Sequence, residues 1–237
     1  MLEYFTRMGV GLLVAVVAGI LGMFLSIKYE AKEATDTIGQ LVAVLDTNFW
    51  LATHVTIINF GYGAALVAGF LGMYYLAGRF FSSDSNKEKK DFFKKVTRMN
   101  YGIICFCLFF SLVGTVLGGI WANYSWGRFW GWDPKENGAL MICLWCLVIL
   151  HARMGGMIRD IGVNVNAIIL AGITTFSWWG VNNLGVGLHS YGFTDGIWGK
   201  LFSSWAIMGV FILMGIPLLR SDRQKKAEKS SSATVKA

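Results

Sequence analysis

Residues 99–127 read MNYGIICFCLFFSLVGTVLGGIWANYSWG, without a single Asp, Glu, Lys or Arg. A helix needs about 20 apolar residues to cross the hydrocarbon core of a bilayer. This stretch exceeds that length and reads as a membrane span. Five further uncharged stretches accompany it, at 9–27, 50–78, 137–152, 161–194 and 201–219. Only 137–152 falls slightly short of a full crossing, with 16 residues. The whole chain has 237 residues, 55% hydrophobic and 15% charged, where a soluble domain carries roughly 25% charged residues. The expected fold is an all-α polytopic membrane protein with about six transmembrane helices. One helical domain covers 1–220, and 221–237 forms a basic, disordered cytoplasmic tail. Secreted disulfide scaffolds, nucleic-acid binders and cytosolic enzymes fit this composition poorly.

Charge sets the expected orientation. The net charge is +7, and its placement matters more than its size. With the N-terminus inside, six spans return the C-terminus inside. The inner segments then collect Arg7, the block from Arg79 to Arg98, Arg153, Arg159 and the basic tail from Arg220. The outer segments hold only Lys28, Lys32, Arg128, Lys135 and Lys200. Cytoplasmic loops carry the excess of Lys and Arg, so the topology reads N-in, C-in. The tail lies near anionic lipid headgroups, and the basic balance requires no nucleic acid. Residues 28–49 read as a mildly acidic outer loop, and 78–97 as a charged inner loop without a packed-core pattern. The first apolar run reads as a retained span, since no A-x-A-like cleavage site follows it.

The four cysteines, Cys105, Cys107, Cys143 and Cys146, all fall inside predicted spans. Cys143 and Cys146 form a CxxC, a spacing used elsewhere for redox or zinc chemistry. A thiolate is costly in an apolar helix, so these read as small packing residues. No CxxCH is present for attaching a c-type haem to this chain itself.

The segment 121–137, WANYSWGRFWGWDPKEN, has unusual composition. Trp121, Trp126, Trp130 and Trp132 fall within 12 residues, interleaved with Gly127 and Gly131. An interfacial aromatic belt accounts for one or two tryptophans at a span end. Flat rings flanked by glycine also suit a large planar apolar ligand, with Arg128 and Lys135 able to pair with carboxylates on its rim. Asp133 and Glu136 read as groups that hold the loop together through backbone or cation contacts. A ligand platform and a heavily anchored loop both remain open on composition.

Three histidines complete the inventory. His54 lies about one turn inside the outer end of the second span. His189 sits in GVGLHSYGF after the fifth, where the glycines permit close backbone approach. His151 lies near the inner end of the fourth. Alone, His54 reads as a helix-contact residue or a ligand, since ionisable residues in spans are functional candidates. His189 reads as loop or ligand, and His151 as an interfacial residue beside Arg153. As a pair, His54 and His189 could hold iron axially through neutral imidazole nitrogens.

The run WGRFWGWDPKENGALM resembles the tryptophan-rich WWD signature of the haem-handling proteins of cytochrome c biogenesis. Its form resembles the CcsA (ResC) branch of the system II, or CcsBA, cytochrome c synthases, more than the related CcmC and CcmF proteins. The stretches NNLGVGLHSYGF (182–193) and WLATHVTIINFGYGAALVAGFLGMYYL (50–76) also resemble that branch, and the likeness covers about residues 50–220. It implies that His54 and His189 are the outer axial ligands of haem b, a transported substrate. It implies that Trp121, Trp126, Trp130, Trp132, Asp133, Arg128 and Lys135 surround the porphyrin. His151 matches a ligand of an inner haem whose second ligand comes from a CcsB (ResB)-like partner.

The resemblance implies a haem lyase activity in complex with that partner. Haem crosses the membrane and is presented on the outer face, where the two thiols of an apocytochrome CxxCH add to its vinyl groups. Two rivals stand beside this reading: a haem-delivery transporter without attachment activity, and a b-type haem quinol electron-transfer subunit. The expected location is a bacterial inner membrane, because no transit peptide for a thylakoid is visible.

Overall fold

The computed structural model describes residues 9–33, 49–82, 87–189 and 196–234. These form six helices and no strand among the described residues: α1 (Val10–Glu33), α2 (Phe49–Phe81), α3 (Lys87–Trp126), α4 (Pro134–Met154), α5 (Asp160–Thr175) and α6 (Ile197–Thr234). A π turn (Phe176–Gly180) and a 3-10 turn (Val181–Leu184) extend α5. All six are long and apolar enough to cross a membrane, counting α5 with its extension. Most of the expected loop at 28–49, the N-terminal residues 1–8 and the end of GVGLHSYGF at 190–193 lie outside the described residues.

The bundle is built around α2, which packs against α3 and α5. Close approach comes from small residues, as expected where lipid removes any hydrophobic drive between helices. A Cβ added at Gly61 would stand 2.8 Å from the Ser111 backbone nitrogen, and one at Gly114 would stand 2.9 Å from the Ile58 Cα. One at Gly72 would meet the Asn164 carbonyl at 2.5 Å. Tyr62, Leu71, Ile104, Ile149, Val163 and Leu170 fill the core between these helices. The span of α1 has none of its residues buried.

Buried polar side chains pair across the same helices. Asn100 Nδ2 donates to the Ala68 carbonyl (3.1 Å) and to Asn164 Oδ1 (2.9 Å). Asn164 Nδ2 in turn donates across to Thr97 Oγ1 (3.0 Å) and, within α5, to the Asp160 carbonyl (2.8 Å). Interhelical hydrogen bonds of this kind contribute about 0.6 kcal/mol each in membranes. Cys107 and Cys146 are buried thiols with sulfurs 3.6 Å apart, packed between α3 and α4.

Two boundaries differ from the sequence reading. The charged block 87–98 is the start of α3, not a loop. Phe93, Val96 and Thr97 are buried there at helical spacing, while Lys94, Lys95 and Arg98 stay exposed. The tail expected to be disordered from 221 continues α6 to Thr234. Its Arg, Gln, Lys, Ala and Glu residues are good helix formers, and a helix already formed in the membrane supplies the costly nucleus.

Gly72→Ala should lower the thermal midpoint in detergent by the equivalent of about 1–3 kcal/mol, the usual cost of overpacking. Gly63→Ala, where a Cβ meets nothing within 4 Å, should be neutral or stabilising. Thermal unfolding of both variants checks the contrast.

Candidate functional site

At the end of the bundle that carries the tryptophan-rich segment, the helices diverge around a cavity of about 370 Å³. His54 and His189 both line it, together with Trp121, Trp130 and Lys135. The remaining walls are mostly apolar or aromatic, including Leu51, Ile58, Phe129 and Trp178.

His54 is held by α3. Its Nδ1 lies 2.7 Å from the Gly114 carbonyl. A carbonyl can only accept, so Nδ1 carries the proton and Nε2 keeps its lone pair in the neutral ring. A ligating histidine commonly has its other nitrogen fixed in this way. The ring fits because of Gly118, where a Cβ would stand 2.6 Å from His54 Cε1. The spacing Gly114-xxx-Gly118 thus supplies both the acceptor and the space for one imidazole.

His189 is held by Asp133. The Asp133 Oδ1 caps α4 by accepting from the Lys135 amide at 2.8 Å. Its Oδ2 accepts from the amides of Leu188 (2.6 Å) and His189 (3.4 Å). Oδ1 also lies 3.2 Å from His189 Nδ1, which favours the proton on that nitrogen and leaves Nε2 bare. Gly187 has φ +86°, and a Cβ there would run into the same carboxylate. Burial pushes the His189 pKa below its ordinary 6.5, against the opposing pull of Asp133 and Glu136. The imidazole is therefore neutral at pH 7, the form that coordinates a metal.

Glu136 closes the tryptophan-rich loop. Its Oε2 accepts from the amides of Gly131 (2.8 Å) and Asp133 (3.1 Å), completing a capping box. Its Oε1 pairs with Arg128 at 3.1 Å. Lys135 Nζ donates to the Trp178 carbonyl (2.8 Å) in the π turn and to Asn182 Oδ1 (3.2 Å).

The tryptophans divide. Trp121 is buried and Trp130 faces the cavity. Trp126 packs edge-on against His189, with ring centroids 4.8 Å apart, and against Trp121 at 4.6 Å. Trp132 has φ +56° and is 70% exposed. Trp126, Trp132, Arg128 and Asp133 do not line the cavity; Arg128 and Asp133 are engaged in holding the loop. His151 is far away: 16 residues along α4 from Lys135 amounts to about 24 Å. It is exposed, with Nδ1 2.8 Å from the Leu147 carbonyl. Among the described residues, no cluster of three or more His, Cys, Asp or Glu is arranged to hold a metal.

Several lining residues were not singled out from sequence: Tyr62, Thr115, Trp178 and Asn182. Asn182 falls inside a quoted motif, so its proximity to His189 in sequence was a usable signal. Trp178 reaches the cavity through the π turn, a feature common at functional sites that hydropathy does not encode.

Comparison with known proteins gives a consistent result. The family described as cytochrome C assembly protein matches residues 3–193. The cytochrome c biogenesis protein CcsA of Chlamydomonas reinhardtii is 32% identical over 71% of this chain and 46% of its own length. Protein NrfI of Wolinella succinogenes is 37% identical over 65% of this chain and 17% of its own length. CcsA of Cuscuta reflexa is 29% identical over 60% of this chain and 54% of its own length. The chain spans about half the length of the CcsA relatives and a smaller part of NrfI.

Because the folded pKa of His189 is depressed, the unfolded chain takes up this proton first. The stability that the neutral ring contributes should be intact above pH 6.5 and be lost as pH falls through the lower folded value. Thermal midpoints from pH 8 downward should show this slope in wild type and not in His189→Gln. Equal slopes in the two proteins would contradict the assignment.

Proposed function

The chain belongs to the cytochrome c assembly protein family, and from that membership we propose that it acts in cytochrome c biogenesis by holding haem b in the two-histidine cavity. The observation that carries this reading is that His54 and His189, 135 positions apart in sequence, line one apolar cavity. Each has its Nδ1 beside a fixed acceptor.

The residues suit a flat, apolar, iron-bearing cargo with carboxylate side groups. Two neutral imidazoles offer Nε2 lone pairs, the usual axial donors to haem iron. Trp121, Trp130, Phe129 and Trp178 offer apolar surface. Lys135 stands at the wall as the cation nearest the cavity, able to pair with a carboxylate. Bis-histidine ligation and exclusion of water tune the iron potential. The protein's part is to orient the haem and exclude water, while the bond-forming chemistry belongs to the haem and the incoming thiols.

In the full reading, the cavity opens toward the extracytoplasmic face of a bacterial inner membrane, as the placement of Lys and Arg favours. An apocytochrome brings a CxxCH segment there. Each thiol adds across a haem vinyl group, its hydrogen going to the vinyl carbon, so that two thioethers form without a leaving group. The histidine of that segment can displace His54 or His189, which aids release. This is a haem lyase activity shared with a CcsB-like membrane partner. His151 serves a second, inner haem with a ligand from that partner.

Absorption spectra of the detergent-purified chain, alone and co-expressed with a CcsB-like protein, test the cavity. Wild type should show a low-spin bis-histidine signal, and His54→Ala and His189→Ala should each lose most of it. Gly118→Ala should weaken it as well, by displacing the His54 ring. Full haem retention in both histidine variants would sink the cavity assignment. Covalent haem on a co-expressed CxxCH apocytochrome separates attachment from delivery alone.

A further inference from the structure

The opposite end of the bundle carries a second pocket, of about 510 Å³. Four elements build it. Tyr75 and Arg79 come from α2, Lys90 and Lys94 from α3, Arg153 and Arg159 from the last turn of α4 and the turn after it, and Asp222 from α6. Five cations therefore converge on one space, facing Asp160 and Asp222.

The carboxylates are already committed. Asp160 pairs with Arg153 at 2.7 Å, and Asp222 with Arg79 at 3.6 Å. Asp91, outside the pocket lining, pairs with Lys94 at 3.4 Å. Lys90 and Arg159 have no carboxylate within ion-pair distance among the described residues. The floor is polar as well as basic. Tyr75 is fully buried, and its hydroxyl oxygen accepts from Arg79 Nη1 at 3.4 Å. The hydroxyl proton thus remains available to an acceptor in the pocket. Five cations against two lining carboxylates leave the pocket with an excess of positive charge, which attracts an anion.

We propose that this pocket binds the headgroup phosphate of an anionic phospholipid from the adjoining leaflet. Three observations favour a lipid over a free phosphate. The pocket is formed at the ends of apolar spans, where basic pockets between helices take lipid headgroups. Leu219, one turn before Asp222 on α6, and Ile216 beyond it are exposed, a path along which an acyl chain can lie. Phe80 and Phe81, beside Arg79 at the end of α2, are exposed too, apolar surface that an acyl chain can contact. The bound phosphate tethers the cations of α2, α3 and the α4–α5 junction at one point, and so stabilises the bundle at the end remote from the histidine cavity. This site is independent of the haem reading.

The test is the thermal midpoint of the full chain, purified in detergent and stripped of lipid, against added phosphatidylglycerol, phosphatidylcholine or inorganic phosphate. Phosphatidylglycerol should raise the midpoint saturably, as a ligand of the folded state does, and the other two should not. Lys90→Gln with Arg159→Gln removes two cations that hold no carboxylate. The double variant should start from the wild-type midpoint and need roughly 25-fold more phosphatidylglycerol, about fivefold per charge. Equal shifts with phosphatidylcholine, equal shifts with phosphate, or superimposable wild-type and variant curves would each overturn the proposal. Should the double variant fail to fold, native mass spectrometry of wild type decides. Preferential retention of phosphatidylglycerol from an equimolar mixture supports the site, and equal retention overturns it.

Discussion

The carboxylate of Asp133 is the constraint on which the cavity end depends. It is almost fully buried, with 1% of the side chain exposed, and a buried carboxylate is costly unless its lone pairs are satisfied. Here one oxygen caps α4, and the other grips the amides of Leu188 and His189. Two segments 55 residues apart are thereby fixed to one side chain. The position of His189 is set by the same group that starts α4, so the ring cannot shift without releasing a helix cap. Gly187 is the counterpart of this arrangement: only a residue without a Cβ fits both the positive φ and the adjacent carboxylate.

The other half of the site rests on packing. In lipid, helices approach through small residues, and the spacing that brings α2 onto α3 also positions His54. Ile58 contacts Gly114, and one turn earlier on α2 His54 meets both the Gly114 carbonyl and the space left by Gly118. A larger residue at 114 or 118 would separate the helices and remove the acceptor's approach or the ring's space. Structural glycines and the candidate ligand are therefore one feature. Such coupling orients a ligand before cargo arrives, so less ordering is required on binding.

Hydropathy made most of this fold legible, because six uncharged runs of near-spanning length admit few alternatives. The likeness of WGRFWGWDPKENGALM to the WWD signature singled out the cavity end, and topology alone put His54 and His189 on one side. Other features were hidden for physical reasons. The lysines of 87–98 mask a helical pattern in which Phe93 and Val96 are buried, since charge dominates any averaged hydropathy. Trp132 keeps edge-on contact with Trp130, ring centroids 6.0 Å apart, yet with its backbone at φ +56° it is exposed and does not line the cavity. Asp133 and Arg128 carry the right chemistry to meet a ligand but spend it on the loop. The role of Trp178 depends on a π turn, whose extra residue per turn is set by tertiary contacts with Lys135 and Tyr62 and leaves no periodic trace.

The two ends of the bundle handle charge in opposite ways, and the contrast bears on what each can do. At the cavity end, Asp133 and Glu136 are nearly buried, and each accepts from several backbone amides. Their charge is therefore consumed internally and the cavity itself stays largely apolar. Such a site is rigid, and it favours neutral imidazole over imidazolium, which suits a metal-bearing planar cargo. At the other end, the cations outnumber the lining carboxylates and come from α2, α3 and the α4–α5 junction. That charge is only partly consumed internally, and the excess on Lys90 and Arg159 is available to a ligand or a leaflet. Distance separates the two functions: His151 lies toward the basic end, about 24 Å along α4 from Lys135, too far to act on anything held between His54 and His189. A cargo bound at the cavity and a ligand bound among the cations therefore share the helices without sharing a single side chain.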